Sequence, residues 1–160
     1  MKNYSKKNTI FLKLAKVLVK SGVTDNNLDI YLDKYKISKK EFYSLFPKKI
    51  VSLSKFYFQK TYMTALKNCK SKVIKEKSIS KKTNLITMEF LKIFCNNSNL
   101  SKFFINYTFL RPFLFSKLIY NVASNIWYDI GDKSIDFNFY TKRLILYNVL
   151  KNSLFYWNKS

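Results

Sequence analysis

Histidine is absent from the 160 residues, and glycine, proline, cysteine and arginine occur only twice each. Each scarcity excludes something. Without histidine there is no imidazole base, and a thiol or zinc site lacks its usual partner. Cys69 and Cys95 have no CxxC spacing and cannot make a disulfide framework, so they are expected as reduced, packed thiols in a reducing compartment. Two glycines and two prolines are too few for a hairpin-rich β protein, which needs positive-φ or fixed-φ corners at its turns. The fold is therefore expected to be all-α. Acids are also scarce: nine, scattered except for Asp129, Asp132 and Asp136. No G-x-S-x-G and no Gly-rich phosphate loop occurs, so no catalytic set is visible and neither a cofactor nor a metal site is expected. No apolar run approaches the roughly 20 residues of a membrane-spanning helix. The polar start from Met1 to Lys7, and the Lys13 and Lys16 that interrupt Ile10 to Leu18, do not read as a secretory signal. A soluble or peripheral protein is expected.

What is present is apolar mass and positive charge. Hydrophobic residues make up 48% and aromatics 18%, with 15 Phe and 12 Tyr, more than a disordered chain carries. The chain must fold or bind an apolar ligand, and its length suits one domain. Phe and Tyr favour strands, but here they travel with Ile, Asn and Lys, the set that AT-rich codons encode, which suggests a bacterium or organelle of low GC content. The net charge is +21, and 28 of the 30 basic residues are lysine. Readers of nucleic acid draw on the planar fork of arginine, so this balance argues against that class. It favours anionic lipid or acidic partners. Residues 1–82 hold 21 basic and 5 acidic side chains, net +16, whereas residues 83–160 hold 9 and 4, net +5.

Helical periodicity places a first helix at about Thr9 to Lys20, with Gly22 as its stop. A short second helix carries Leu28, Ile30 and Leu32, capped by Thr24 or Asp25, and Lys34 to Ile37 forms a turn. Ser38-Lys39-Lys40-Glu41 has the form of a capping box and starts a brief third helix. Pro47 then opens a long fourth helix to about Lys70. Lys70 to Lys82 reads as a solvated basic linker or helix end, with an anionic-surface contact as the alternative. A further helix spans residues 84–95, and the Asn96 to Asn99 cluster breaks it. From Leu100 to Ile130 the chain is apolar on nearly every face, divided in two at Pro112. Gly131-Asp132 ends that stretch, and Ser134 or Asp136 caps a last helix to about Trp157. One core cannot readily bury all the apolar residues of the second half, and the surplus predicts a dimer face or a lipid cavity.

The first three helices resemble the helix-turn-helix end of TetR-type regulators, with Glu41 to Phe46 at the corresponding place. Phe42 and Leu45 occupy the third helix there, and only Lys39, Lys40 and Tyr43 remain as base-reading side chains. Residues 127–147, which contain Trp127, Gly131, Asp132, Ser134, Asp136, Tyr140, Thr141, Arg143 and Leu146, resemble the signature of the coenzyme Q (ubiquinone) biosynthesis accessory family, the ninth protein of that series. That pattern is a Trp, then Gly-Asp-x-Ser-x-Asp, an aromatic pair with Tyr-Thr-x-Arg, and a Leu three residues on. Leu45-Phe46-Pro47 agrees with it.

The resemblance implies a TetR-like, homodimeric helical bundle with a degenerate N-terminal helix-turn-helix. Residues 1–70 would form the helix-turn-helix part and long connecting helix, and residues 71–160 the lipid-binding and dimerisation part, in one continuous domain. It implies a non-catalytic protein that binds a prenylated quinone intermediate, or another isoprenoid lipid, and presents it to the demethoxyubiquinone hydroxylase. The aromatic-rich helices from Leu100 to Trp157 would line the cavity, through Phe103, Tyr107, Phe113, Leu118, Val122, Ile126 and Leu144. Phe139 and Tyr140 map to the family's hydroxylase contact, with Phe139 where a Trp is common; ordinary core packing is the alternative. For Trp127, Gly131, Asp132, Ser134, Asp136, Thr141 and Arg143 a structural role is expected: loop capping and a buried Asp–Arg pair holding the last two helices together. The family's amphipathic membrane-gripping segment follows its last helix and is not among these residues, so the lysines of residues 1–82 are the expected substitute on an anionic leaflet. The expected location is the cytoplasm, peripheral on a bacterial inner membrane, or the matrix side of a mitochondrial one. The competing reading is a TetR-type repressor with an apolar effector pocket.

Overall fold

The computed structural model describes residues 2–20 and 22–160, the side chains of Lys2 and Asp136 excepted. The described residues form eight helices and no strand: α1 (Lys2–Lys20), α2 (Leu28–Lys34), α3 (Lys39–Leu45), α4 (Lys49–Lys75), α5 (Ile79–Asn96), α6 (Ser98–Phe109), α7 (Pro112–Asp129) and α8 (Asp136–Lys159). The all-α expectation holds. Residues 1–56 make one compact unit and residues 57–160 another, so the division falls inside α4.

In the first unit, Leu14, Leu28, Leu32, Phe42, Ile50 and Leu53 are fully buried. α1 begins at Lys2 rather than Thr9, because its polar first turns gain tertiary partners. The Tyr4 and Phe11 rings lie 5.5 and 5.3 Å from Phe56, and Lys7 sits 5.9 Å over Phe46. Gly22, at φ 58°, follows its end. Neither Thr24 nor Asp25 caps α2; Asn27 occupies that position, and its Oδ1 accepts the Thr24 N–H at 2.7 Å. Asp25 serves α4 instead, accepting the Ile50 N–H at 3.1 Å, while its backbone carbonyl accepts from Lys49 Nζ at 2.9 Å. Ser38 caps α3 by accepting the Glu41 N–H at 3.4 Å. Pro47 lies in the turn before α4, not at its first position.

The second unit holds the rest of α4 with α5 to α8. α5 packs against α6, α7 and α8, and α7 makes its most extensive packing with α8. Tyr57 stacks on Phe104 at 4.8 Å, and its hydroxyl lies 2.5 Å from that of Ser101, which donates to the Phe94 carbonyl. The basic stretch over 70–82, expected as a linker or helix end, is the end of α4 and the start of α5 around a short turn. The buried face of α4 continues through Ala65, Cys69 and Val73, and Ser78 caps α5 by accepting the Lys81 N–H, leaving only residues 76–78 between the helices. Pro112 does divide the apolar stretch, standing in the first turn of α7. That stretch is not buried all round, since Leu110 and Phe113 are 82% and 91% exposed.

Candidate functional site

The loop joining α7 to α8 is built by local rules. Gly131, at φ 80°, donates its N–H to the Tyr128 carbonyl, and the Asp132 N–H reaches the Trp127 carbonyl, both at 3.0 Å. This pair of bonds is the Schellman stop, and it needs a residue at ease in the left-handed region. It delivers the Asp132 carboxylate into a cluster of donors. Asp132 accepts from the Ser134 hydroxyl at 2.5 Å, the Ser134 N–H at 3.4 Å, Lys142 Nζ at 2.9 Å and Arg143 Nη1 at 3.4 Å. Burial opposes its charge, but the Ser134 and Lys142 hydrogen bonds prevail and hold the carboxyl at about 2.

Arg143 is equally enclosed: the Asp132 and Arg143 side chains are each 3% exposed. Its Nε donates to the Ser124 hydroxyl at 3.3 Å and Nη1 to the Phe139 carbonyl at 2.9 Å, and the guanidinium lies 3.4 Å from the Phe139 ring centre. Trp127 Nε1 donates to the Lys142 carbonyl at 3.1 Å, and the Tyr147 hydroxyl to Ser116 at 3.1 Å. The Thr141 hydroxyl bonds within α8, to the Phe137 carbonyl. These groups tie α7, the loop and α8 together. The cap residue of α8 is Ile135, not Ser134, whose hydroxyl is spent on Asp132. The Asp136 side chain lies outside the described residues. Beyond the loop, the Tyr62 hydroxyl donates to the Asp129 carboxylate at the end of α7, and burial together with that bond pushes the phenol well above its usual range.

Beside this lock lies an open groove of about 430 Å³, within the roughly 300–1,000 Å³ typical of ligand pockets. Ile79, Ser80, Thr83, Asn84 and Thr87 of α5 form one wall, Trp127 of α7 and Lys142, Ile145, Leu146 and Val149 of α8 the other. The Thr83 and Thr87 hydroxyls are taken by α5 carbonyls, and Trp127 Nε1 by Lys142. The Ser80 and Asn84 side chains make no hydrogen bond among the described residues. Among the described residues, no group of three or more His, Cys, Asp or Glu gathers as a metal site would require.

The residues singled out from sequence fall in different places. Leu118, Val122 and Ile126 are buried in the packed face of α7, Phe103 and Tyr107 are half-buried on α6, and Phe113 and Leu144 are exposed. These seven do not line the groove; of the residues expected to have a structural role, Trp127 does. Phe139 lies edge-on to Tyr140 at 5.1 Å, half-buried under Arg143, while Tyr140 is 65% exposed. Sequence reasoning missed Ile79, Thr83, Ile145 and Val149. The available signal was the apolar period of α5, continued backwards through Thr83 and Ile79.

Fold and groove define an all-helical protein with an apolar surface cleft, and no described helix is long and apolar enough to cross a membrane. Residues 114–160, which comprise most of α7, the loop and α8, match the COQ9 family model, and over that stretch the chain is similar to this accessory family of coenzyme Q biosynthesis. The family implies a role in that pathway. No curated protein and no solved structure matches the chain.

Proposed function

We propose that this chain is a non-catalytic lipid-binding protein of ubiquinone biosynthesis, which holds a prenylated quinone intermediate and presents it to the demethoxyubiquinone hydroxylase. The observation that carries the reading is the apolar groove whose α8 wall belongs to the COQ9-like stretch. Ser80 and Asn84 would meet the oxygens of the ring, and Ile79, Ile145 and Val149 its apolar edge. Each CH₂ buried there is worth about 0.8 kcal/mol. A tail of many isoprene units exceeds about 430 Å³, so Phe103, Tyr107, Phe113, Leu118, Val122, Ile126 and Leu144 are assigned to the tail. Reaching the three of these that are buried requires α7 to part from its neighbours in a lipid-loaded state. The exposed Tyr140, braced by Phe139, is assigned to the hydroxylase contact. A TetR-like homodimer, peripheral on an anionic membrane, completes the reading.

The repressor alternative loses support on α3. Lys39 pairs with Asp33 at 2.8 Å, and the Tyr43 hydroxyl donates to Asp29 at 2.5 Å, a bond that pushes the phenol up to about 12. Two of its three candidate base readers are thereby held by carboxylates. The test is mass spectrometry of organic extracts from the purified protein and from Ile145→Glu, which places a charge in the groove at an exposed position. Prenylated quinone enriched in the first and lost from the second is expected. Extracts without quinone from both, even after quinone is added, would remove the groove from the function.

A further inference from the structure

The corner between α4 and α5 combines features that the groove does not use. Residues 70–82 carry six lysines against Glu76 alone, net +5. Lys70, Lys72, Lys75, Lys77 and Lys81 are exposed and Lys82 half-buried, and among the described residues none of the six forms a salt bridge. Glu76 accepts the N–H groups of Lys77 and Ser78, both at 2.9 Å, so its carboxylate is engaged in making the turn. Two large apolar side chains stand among these lysines: Ile74, 69% exposed near the end of α4, and Ile79, 49% exposed at the start of α5. Ile79 lines the groove described above, and Ile74 lines a second one of about 370 Å³ with Met63, Leu66 and Val73.

We infer that the α4–α5 corner docks the protein on an anionic bilayer, with Ile74 and Ile79 entering the headgroup layer inside a ring of lysines. Charge complementarity selects the occupant class, because unpaired lysines near an anionic leaflet each add to attraction within a Debye length. The exposed isoleucines then select bilayer over nucleic acid, whose backbone offers an aliphatic side chain nothing, and the corner has no arginine to read bases. The geometry gives the docking a purpose. Ile79 belongs both to the corner and to the mouth of the α5–α8 groove, so a lipid leaving the leaflet meets the groove without crossing water. Docking gives a surface to the peripheral placement in the reading above and rests on it to that extent; the last step rests also on its lipid binding.

The test is flotation of the full chain with phosphatidylcholine vesicles and with vesicles containing phosphatidylserine, at several salt concentrations. Native protein should float with the anionic vesicles only, and less as salt rises. The triple variant Lys72→Gln, Lys75→Gln, Lys77→Gln should weaken that binding on the order of 100-fold. A control triple in α1, Lys6→Gln, Lys13→Gln, Lys16→Gln, should weaken it far less, and Ile74→Ser should leave a weaker, wholly salt-sensitive association. Circular dichroism confirms that each variant is helical. Equal losses from the two triples would mean diffuse attraction and overturn the corner. Failure to float, with DNA retained at the same salt, would replace it by a nucleic-acid surface. Quinone still co-purifying with a triple variant that no longer floats separates failure of docking from failure of the groove.

Discussion

Residues 1–56 and residues 57–160 both close around phenylalanines, yet they treat their charges differently. In the first unit, Lys39 and Asp33 meet at the surface with side chains 44% and 65% exposed. In the second, Asp132 and Arg143 meet at 3% exposure each, with Ser124, Ser134 and Lys142 completing the cluster. Water screens the first pair, so it contributes little to stability. The second pair has lost its water, so each member depends on the other. The contrast teaches that lysine abundance is a poor guide to what holds this protein: one of its two arginines does more structural work than its surface lysines.

The sharpest way to break the comparison is Asp132→Ala, which leaves Arg143 buried without its carboxylate and is expected to cost about 3–5 kcal/mol. Replacing both partners, as Asp132→Leu with Arg143→Met, should recover most of that, because an apolar pair of similar volume removes the uncompensated charge. Urea midpoints decide; a single-variant loss below about 1 kcal/mol would mean the pair is solvated after all.

Acid tests the same cluster. The folded-state carboxyl of Asp132 ionises at about 2 against an ordinary 3.8. A depressed folded pKa gives stability that is present above the unfolded value and lost as pH falls through the folded one. About 2 kcal/mol should therefore disappear between roughly pH 4 and pH 2, and Asp132→Ala should lack that limb. Tyr62 has the opposite sign: its raised phenol favours the folded state below about pH 10 and ceases to do so as alkali ionises it. Thermal melts across both limits, with Tyr62→Phe as the alkaline control, resolve the two.

Glycine offers a smaller and more even comparison. An added Cβ would meet nothing within 4 Å at either Gly22 or Gly131, so Ala is opposed only by positive φ. Each substitution should cost about 1–2 kcal/mol. A much larger loss at Gly131 would reveal that the stop also sets the position of Asp132. Last comes Lys39→Gln, expected to leave the urea midpoint unmoved; a clear shift would give the first unit an electrostatic element that its geometry does not suggest.

Features fixed by neighbouring residues were legible in the sequence. Ser38 and Glu41, Pro112, and Gly131 with Asp132 each act within a few positions, and the Asp132–Arg143 pair spans one loop and two turns of helix. Features made by distant partners were not. Asp25 looked like a cap for α2, but its acceptor role lies with Ile50. The groove draws on residues 79–87, 127 and 142–149, whose apolar patterns were visible separately while their meeting was not. Counting apolar residues on α6 and α7 favoured Leu118, Val122 and Ile126, which the core had already claimed. Similarly, the lysines of 70–82 fit a linker and a helix end equally well, because only Cys69 and Val73 carry the buried face of α4 into that stretch.

The bond from Trp127 Nε1 to the Lys142 carbonyl fixes an indole in the wall of the groove. Only one other indole exists, Trp157, which lies over Lys102 and edge-on to Phe94. With Trp157→Phe, and excitation at the red edge where tyrosine does not absorb, the protein's indole emission comes from the groove wall alone. Quinones accept electrons from excited indoles, so the emission becomes an optical gauge of occupancy, readable without any label.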